Sequence, residues 1–236
     1  MNAGGDPAPV AIALAVLDMA GTTVADDGLV TDAFLAALEA VGIGSGDPSV
    51  PGHLAYVHST MGASKIDVFR HLLGDEARAV HATAAFESAV SQAIDRGRVE
   101  PLPGAEHTLA RLGRAGIGVC LTTGFSADTQ AQLIRSLGWE PLVDLMLAPG
   151  PGRRGRPHPD LVLAAVLALG IDDVRATAVV GDTANDLLSG WRAGAGVVAG
   201  VLTGAHGRAE LAAAPHTHIL ASVADLPAAL GLDLAD

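Results

Sequence analysis

Positive charge is scarce in this sequence: 14 Lys and Arg stand against 26 Asp and Glu, a formal net charge of −12 over 236 residues. That balance excludes a surface built to neutralise nucleic-acid phosphates or anionic lipid, so a small anionic substrate must be met by local positive charge. Cysteine is down to Cys120 alone, which excludes a disulfide framework; inside the apolar run 117–121 it reads as a buried structural thiol. No apolar run has the length of a bilayer crossing. The stretch 10–17 is too short and lacks the basic segment that precedes a signal peptide, so a cytoplasmic protein with no membrane partner is expected. What is plentiful is apolar side chain, 50% of the residues, enough for a well-buried core in one large domain or in a core domain carrying an insert. The first nine residues, with Gly4, Gly5, Pro7 and Pro9, read as a loose tail.

Residues 10–17 are branched and apolar without alternation, as in a parallel strand covered on both faces, and the run ends at Asp18. Thr31 can cap a helix through Val41 that Gly42 stops, and a Gly/Pro/Ser loop over 44–52 follows. The spacing is helical over 64–73 and 75–96, with no convincing strand in this middle region. After a hinge-like segment at 99–104 the patterns alternate: helix to Ala115, strand to Thr123, helix to Leu137, strand 142–147, helix 160–169, strand 176–181. Such alternation predicts an α/β fold, a Rossmann-like doubly wound parallel sheet, with residues 1–24 and 100–236 forming the core domain and 25–99 an inserted α-helical domain.

Four short segments fall at the carboxyl ends of predicted strands, where open α/β sheets place their ligands. They are Asp18-Met-Ala-Gly-Thr-Thr23, Leu121-Thr-Thr-Gly-Phe125, Gly155-Arg-Pro-His-Pro159 and Gly181-Asp-Thr-Ala-Asn-Asp186. Together they supply a nucleophilic carboxylate, hydroxyl and backbone N–H donors for phosphate, one fixed cation and a carboxylate pair for a hard metal, the parts that phosphoryl transfer requires. Taken singly, Asp182 could cap the following helix and Asp186 could be a first-turn acid favoured by the helix dipole. The residues 150–155 are glycine-rich and basic without P-loop spacing and read as a loop that positions Arg156. His216-Thr-His218 puts two imidazoles on one face of a strand with no third ligand nearby, a structural feature.

In this order the four segments resemble the motifs of the haloacid dehalogenase superfamily, over the chain from about Val10 onward. The resemblance implies that Asp18 is the nucleophile, that Thr122 or Thr123 with Gly124 holds the phosphoryl oxygens, and that Arg156 stands where many members have lysine. It further implies Mg²⁺ held by Asp18, the Ala20 backbone carbonyl, Asp182 and Asp186, with Gly21 at the substrate and the helical insert as a mobile cap that could also form a homodimer.

Most phosphatases of this superfamily carry a second Asp two positions after the nucleophile; here that position is Ala20. Without that acid, the leaving group must depart unprotonated or be made viable by another catalyst. Asp-x-Ala-Gly-Thr-Thr, the arginine of the third motif and Met61-Gly-Ala-Ser-Lys65 in the insert look like phosphonoacetaldehyde hydrolase and its phosphonatase-like relatives. There the cap lysine condenses with the substrate aldehyde, and the protonated imine accepts the electrons of the breaking carbon–phosphorus bond. Of the fourteen basic residues thirteen are Arg and only Lys65 is Lys, and arginine cannot form an imine. With Ser64 as N-cap, Lys65 would lie in the first helical turn, where the dipole lowers its pKa. The sequence departs from the phosphonatase pattern at Val68, where a histidine is expected, and at Phe125, where a tyrosine is. His58 or His71 could replace that histidine, though each reads first as a surface residue. The expected activity is therefore cleavage of phosphonoacetaldehyde or a close 2-oxoethylphosphonate, with Met61 among the substrate-binding residues. A phosphate-monoester phosphatase and a silent phosphate-binding protein are the rival readings.

Overall fold

The computed structural model describes residues 10–232. Six strands form one parallel sheet in the order β3-β2-β1-β4-β5-β6. They are β1 (Leu14–Asp18), β2 (Gly118–Thr122), β3 (Leu145–Leu147), β4 (Thr177–Gly181), β5 (Val197–Val201) and β6 (His218–Leu220). All five residues of β1 are buried, because helices cover both sheet faces. Ala15 and Leu17 point into the larger core, while Leu14 and Val16 pack with Cys120 and α7 (Asp160–Ala168) on the other face. Burial pushes the Cys120 thiol up to about 12, as an inert core thiol requires.

The chain runs from β1 outward to β3 and then returns to β4 on the other side of β1, so the strand order reverses between β1 and β4. That reversal opens a crevice at the strand ends. Asp18 ends β1 in register with Thr122 of β2, and Gly181 ends β4 just before Asp182. Three of the four motif segments thus converge at one edge of the sheet because parallel strands end in register.

Between β1 and α5 (Ala105–Arg114) lie four helices: α1 (Leu29–Ala40), α2 (Val50–Ser59), α3 (Lys65–Leu73) and α4 (Glu76–Asp95). Their shared core is aromatic, with the rings of Phe34, Phe69 and Phe86 from α1, α3 and α4 in mutual contact. The two chain segments joining this insert to the sheet run antiparallel, Ala25 N–H donating to Glu100 O and Leu102 N–H to Thr23 O, each at 2.9 Å.

Several element boundaries differ from expectation. Helix α1 begins at Leu29 rather than after Thr31, since Gly28 adopts a left-handed φ of 81° and Asp26 Oδ1 accepts the Val30 N–H, which lets Leu29 and Val30 enter the core. The expected loop over 44–52 ends early: Pro51 sits in the first turn of α2, whose buried Val50 and Val57 hold it down. Strand β3 starts only at Leu145, because 140–142 form a 3₁₀ turn. His216 precedes β6 instead of sharing a strand face with His218. The expected tail lies outside the described residues. No helix among them is long and apolar enough to cross a membrane.

Candidate active site

Asp18 is the last residue of β1, and the tight loop that follows holds it at the strand end, the N–H groups of Thr22, Thr23 and Val24 all turning back to Met19 O. Gly21 in that loop has φ of 82°, and a Cβ on it would meet Asp182 Oδ2 at 2.6 Å, so the approach of the two segments requires glycine. Thr22 Oγ1 donates to Asp182 Oδ1 at 3.2 Å, and the Ala205 N–H to Asp182 Oδ2 at 2.7 Å. Helix α8 (Ala184–Ala193) is capped by Thr183, not by Asp182, in a capping box with Asp186. Asp186 thus serves its helix through Oδ2 while its Oδ1 accepts from Arg156 Nη1.

Carboxylate oxygens of Asp18, Asp182 and Asp186 lie within 4.8 Å of one another, and all three residues are buried. Arg156, 5% exposed, bridges two of them, its Nη1 donating to Asp18 at 2.5 Å and to Asp186. Its Nε and Nη2 are buried with no partner. Burial raises the Asp18 pKa to about 6 against the pull of Arg156, with the Asp186 charge adding to the rise. Burial and the same two neighbouring carboxylates hold Asp182 well above the ordinary range. For Arg156, burial alone would favour loss of charge, but Asp18 and Asp186 outweigh it and raise its pKa. Three buried acids facing one guanidinium leave negative charge unmatched. The oxygen-only donor set is the kind that a hard divalent cation takes.

Of the two threonines ending β2, Thr122 Oγ1 donates back to Leu17 O at 3.4 Å, whereas Thr123 and Gly124 line the cavity in front of Asp18. Ala20, Met61, Gly62 and Lys65 line it too. The space is about 30 Å³, room for about two waters. The insert packs against its rim: Asn185 Nδ2 donates to Met61 O at 2.8 Å, and a Cβ on Gly124 would stand 2.5 Å from Ala63 O.

Lys65 is 5% exposed at the start of α3, behind Ser64 in the N-cap position. Ser64 occupies that position without a side-chain cap bond. The chain has four phenylalanines, and three of them ring the Lys65 ammonium: Phe34, Phe86 and Phe125 have centroids 5.6, 5.7 and 5.7 Å from Nζ. Burial, with the Arg156 charge, lowers the Lys65 pKa to about 8 against the opposing pull of Asp18, Asp26 and Glu87. Val68 is buried among apolar side chains. His58 and His71 are both exposed, and His71 stacks on Tyr56 with centroids 4.1 Å apart.

Sequence reasoning missed three residues here. Asp26 lines the cavity. Glu87 of α4 reaches across to the sheet side, accepting from Ser126 N–H at 3.0 Å, Ser126 Oγ at 2.8 Å and Thr129 Oγ1 at the start of α6 (Ala127–Leu137). His206 accepts the Ala184 N–H on Nδ1 at 3.0 Å, which puts its proton on Nε2, 3.2 Å from His58 O. His206 lies close to His58 and Glu210, yet with both nitrogens engaged it offers no lone pair to a metal. Glu87 and His206 matter through contacts of long sequence separation, and Asp26, whose one hydrogen bond is local at the start of α1, through its place on the cavity wall.

Comparison with known proteins agrees with this architecture. Residues 12–194 match the family model for haloacid dehalogenase-like hydrolase. The phosphonoacetaldehyde hydrolase of Pseudomonas entomophila is 30% identical over 208 residues, covering 83% of this chain and 75% of the relative. The probable phosphatase IndB of Dickeya dadantii is also 30% identical over 208 residues, covering 85% and 86%. A phosphonoacetaldehyde hydrolase like protein from Oleispira antarctica superposes with a TM-score of 0.80 at 21% identity, over 98% of this chain and 95% of that one, a likeness of fold. On the match across most of its length, this chain belongs to the haloacid dehalogenase-like hydrolases and is an enzyme of that family.

Proposed function

We propose that the enzyme hydrolyses the carbon–phosphorus bond of phosphonoacetaldehyde or a close 2-oxoethylphosphonate. The observation that carries this reading is Lys65, the chain's single lysine, which lies buried on the cavity that Asp18 also lines. A surface lysine would cost nothing; an ammonium taken out of water and set among three aromatic rings is expensive and calls for a reason. Ala20, where a leaving-group acid would stand, supports the same chemistry, because an enamine leaving group needs no proton at the moment the bond breaks.

In this reading the neutral Lys65 amine condenses with the substrate aldehyde, and Asp18 attacks phosphorus. Arg156 offers the phosphoryl oxygens Nε and Nη2, the two buried donors that lack partners, beside Thr123 and the backbone of Gly124 on the cavity wall, whereas the Gly21 N–H is spent on Val24 O and Gly21 serves the close approach of Asp182. Thr122, turned toward Leu17 O, steadies the strand end instead. Asp18, Asp182, Asp186 and the Ala20 carbonyl would hold Mg²⁺, which when bound offsets the charge between carboxylate and phosphoryl oxygens. Electrons from the carbon–phosphorus bond flow into the imine, the enamine departs, and water releases phosphate from Asp18. Residues 25–99 act as a cap: Met61, Gly62 and Lys65 of the insert form one wall of the cavity and Asp18 and Thr123 of the sheet domain the other, so movement of the insert widens the way in. Met61 and Gly62, at the cap's edge, contact the substrate on closure.

The test is phosphate release with Mg²⁺ from phosphonoacetaldehyde, its hydroxylated analogue and a panel of phosphate monoesters, comparing wild type with Lys65→Arg. Turnover confined to the phosphonates and abolished by Lys65→Arg is expected. Monoester turnover indifferent to Lys65→Arg would instead make the protein a phosphatase on the same scaffold.

A further inference from the structure

Imine formation moves protons twice, once off the ammonium and once onto the departing hydroxyl, and the position that would hold a histidine for this is the buried Val68. We infer that Asp26 is the acid–base group that carries these protons for Lys65, an inference that rests on the imine reading above. Asp26 lies where the chain leaves β1 for α1, half-buried, and it lines the same small cavity as Lys65. Five other candidates are occupied or remote. Asp18 and Asp182 also line the cavity, but the first is bound to Arg156 and the second to Thr22 and Ala205. The rings of His58 and His71 are exposed, and His206 spends one nitrogen on Ala184 and the other on His58 O. Among the described residues, Asp26 is the one carboxyl on the cavity outside the Asp18, Asp182 and Asp186 cluster.

Its geometry suits the task. Oδ1 is fixed by the Val30 N–H at 2.9 Å, which anchors the side chain, while no protein donor among the described residues engages Oδ2. The charged groups that act on it are Lys65, which favours the carboxylate, and Asp27 and Asp32, which oppose it. Burial outweighs the Val30 and Lys65 contributions and raises its pKa, toward the range in which a carboxyl both takes and gives protons.

The Asp26 carboxylate takes one proton from the Lys65 ammonium, and the free amine adds to the aldehyde carbon as its carbonyl electrons move to oxygen. A proton shifts from nitrogen to that oxygen, giving a neutral carbinolamine. The Asp26 carboxyl then protonates the hydroxyl, the carbon–oxygen bond breaks, water leaves and the nitrogen lone pair forms the protonated imine. Asp26 ends as the carboxylate it began as, and the three ammonium protons end one on the iminium and two in water. Release of the product aldehyde runs the same sequence backwards.

Asp26→Asn separates this role from the structural one, since an amide Oδ1 still accepts the Val30 N–H; Asp26→Ser keeps a helix-start acceptor without a carboxyl. The Lys65 adduct with phosphonoacetaldehyde is trapped by borohydride at timed intervals and counted by mass spectrometry. Both variants are expected to trap roughly a hundredfold more slowly than wild type, with Asp26→Glu partly restoring the rate. Trapping within threefold of wild type in Asp26→Asn, while Lys65→Arg traps nothing, overturns the role of Asp26 alone. Turnover that survives in Lys65→Arg overturns the imine reading and this inference with it. If neither substitution folds, the trapping rate against pH decides, taken in wild type, Asp18→Asn and Asp182→Asn because those two carboxyls are also raised: a carboxyl limb that survives both substitutions supports Asp26, and a limb lost with either, or a profile containing only the lysine, overturns it.

Discussion

Replacing Lys65 by methionine should stabilise the protein, which is the reverse of what removing a buried, contact-making side chain ordinarily does. The folded state lowers the Lys65 pKa from 10.5 to about 8, chiefly through burial. At 1.36 kcal/mol per pKa unit this corresponds to a penalty of roughly 3 kcal/mol for keeping the ammonium at neutral pH. The faces of Phe34, Phe86 and Phe125 attract the cation and return roughly 1–2 kcal/mol of it. Methionine fills the same space without charge, so Lys65→Met should gain roughly 1–2 kcal/mol at pH 7. Between pH 8 and 10.5 the unfolded chain binds the lysine proton and the folded one does not, so wild-type stability rises with pH across that window. The advantage of Lys65→Met is therefore full below about pH 8 and gone above 10.5. Urea unfolding followed by the fluorescence of buried Trp139, at pH 7 and pH 10.5 and constant Mg²⁺, measures both numbers. A Lys65→Met protein less stable than wild type at pH 7, or a difference that ignores pH, is the contrary result. It would mean that ring attraction exceeds desolvation and that Lys65 is no nucleophile at neutral pH.

Gly124→Ala should lower kcat/KM at least tenfold with little change in melting temperature, because its Cβ would stand 2.5 Å from Ala63 O and obstruct only closure of the insert; steady-state kinetics with a thermal melt checks both. His206→Ala orphans the Ala184 N–H and frees His58 O, a loss of roughly 1–3 kcal/mol. His206→Gln, which can accept and donate at once, should recover most of it in the same denaturant titration. Chelation by EDTA should abolish turnover and restored Mg²⁺ should return it, while Asp182→Asn should need far more Mg²⁺ for half-maximal rate, read from a metal titration.

Strands β1, β2 and β4, and the central place of β1, were legible because each is a short, largely apolar run ending at a polar motif, and a covered parallel strand has few other spellings; the full strand order and β5 were not, since which strands pair is settled by packing rather than by local pattern. The helix starts were less so. Thr31 looked like the cap of α1, but a left-handed Gly28 and the Asp26 side chain begin the helix earlier, a choice made by the burial of Leu29 and Val30. Helix α2 was hidden by its Pro51 and Gly52, which read as loop residues until Val50 and Val57 are seen packed. Of the site, Asp18, Lys65, Arg156, Asp182 and Asp186 could be found because each sits in a local motif. The choice of Thr123 over Thr122 at the cavity depends on which hydroxyl faces β1. Glu87 and His206 act across distances in sequence that no local pattern records, and Asp26 through its place on the cavity wall.

A protein with one lysine, walled in by phenylalanine, also carries its own gauge of opening. Amine-selective reagents have a single side chain to modify, apart from the α-amino group, and it is 5% exposed here, so under the cap reading reagent should reach it chiefly when the insert lifts from the sheet. The rate at which an acylating reagent tags Lys65 thus counts openings directly, without an engineered probe. A tight phosphonate inhibitor should slow that tagging, and Gly124→Ala should speed it.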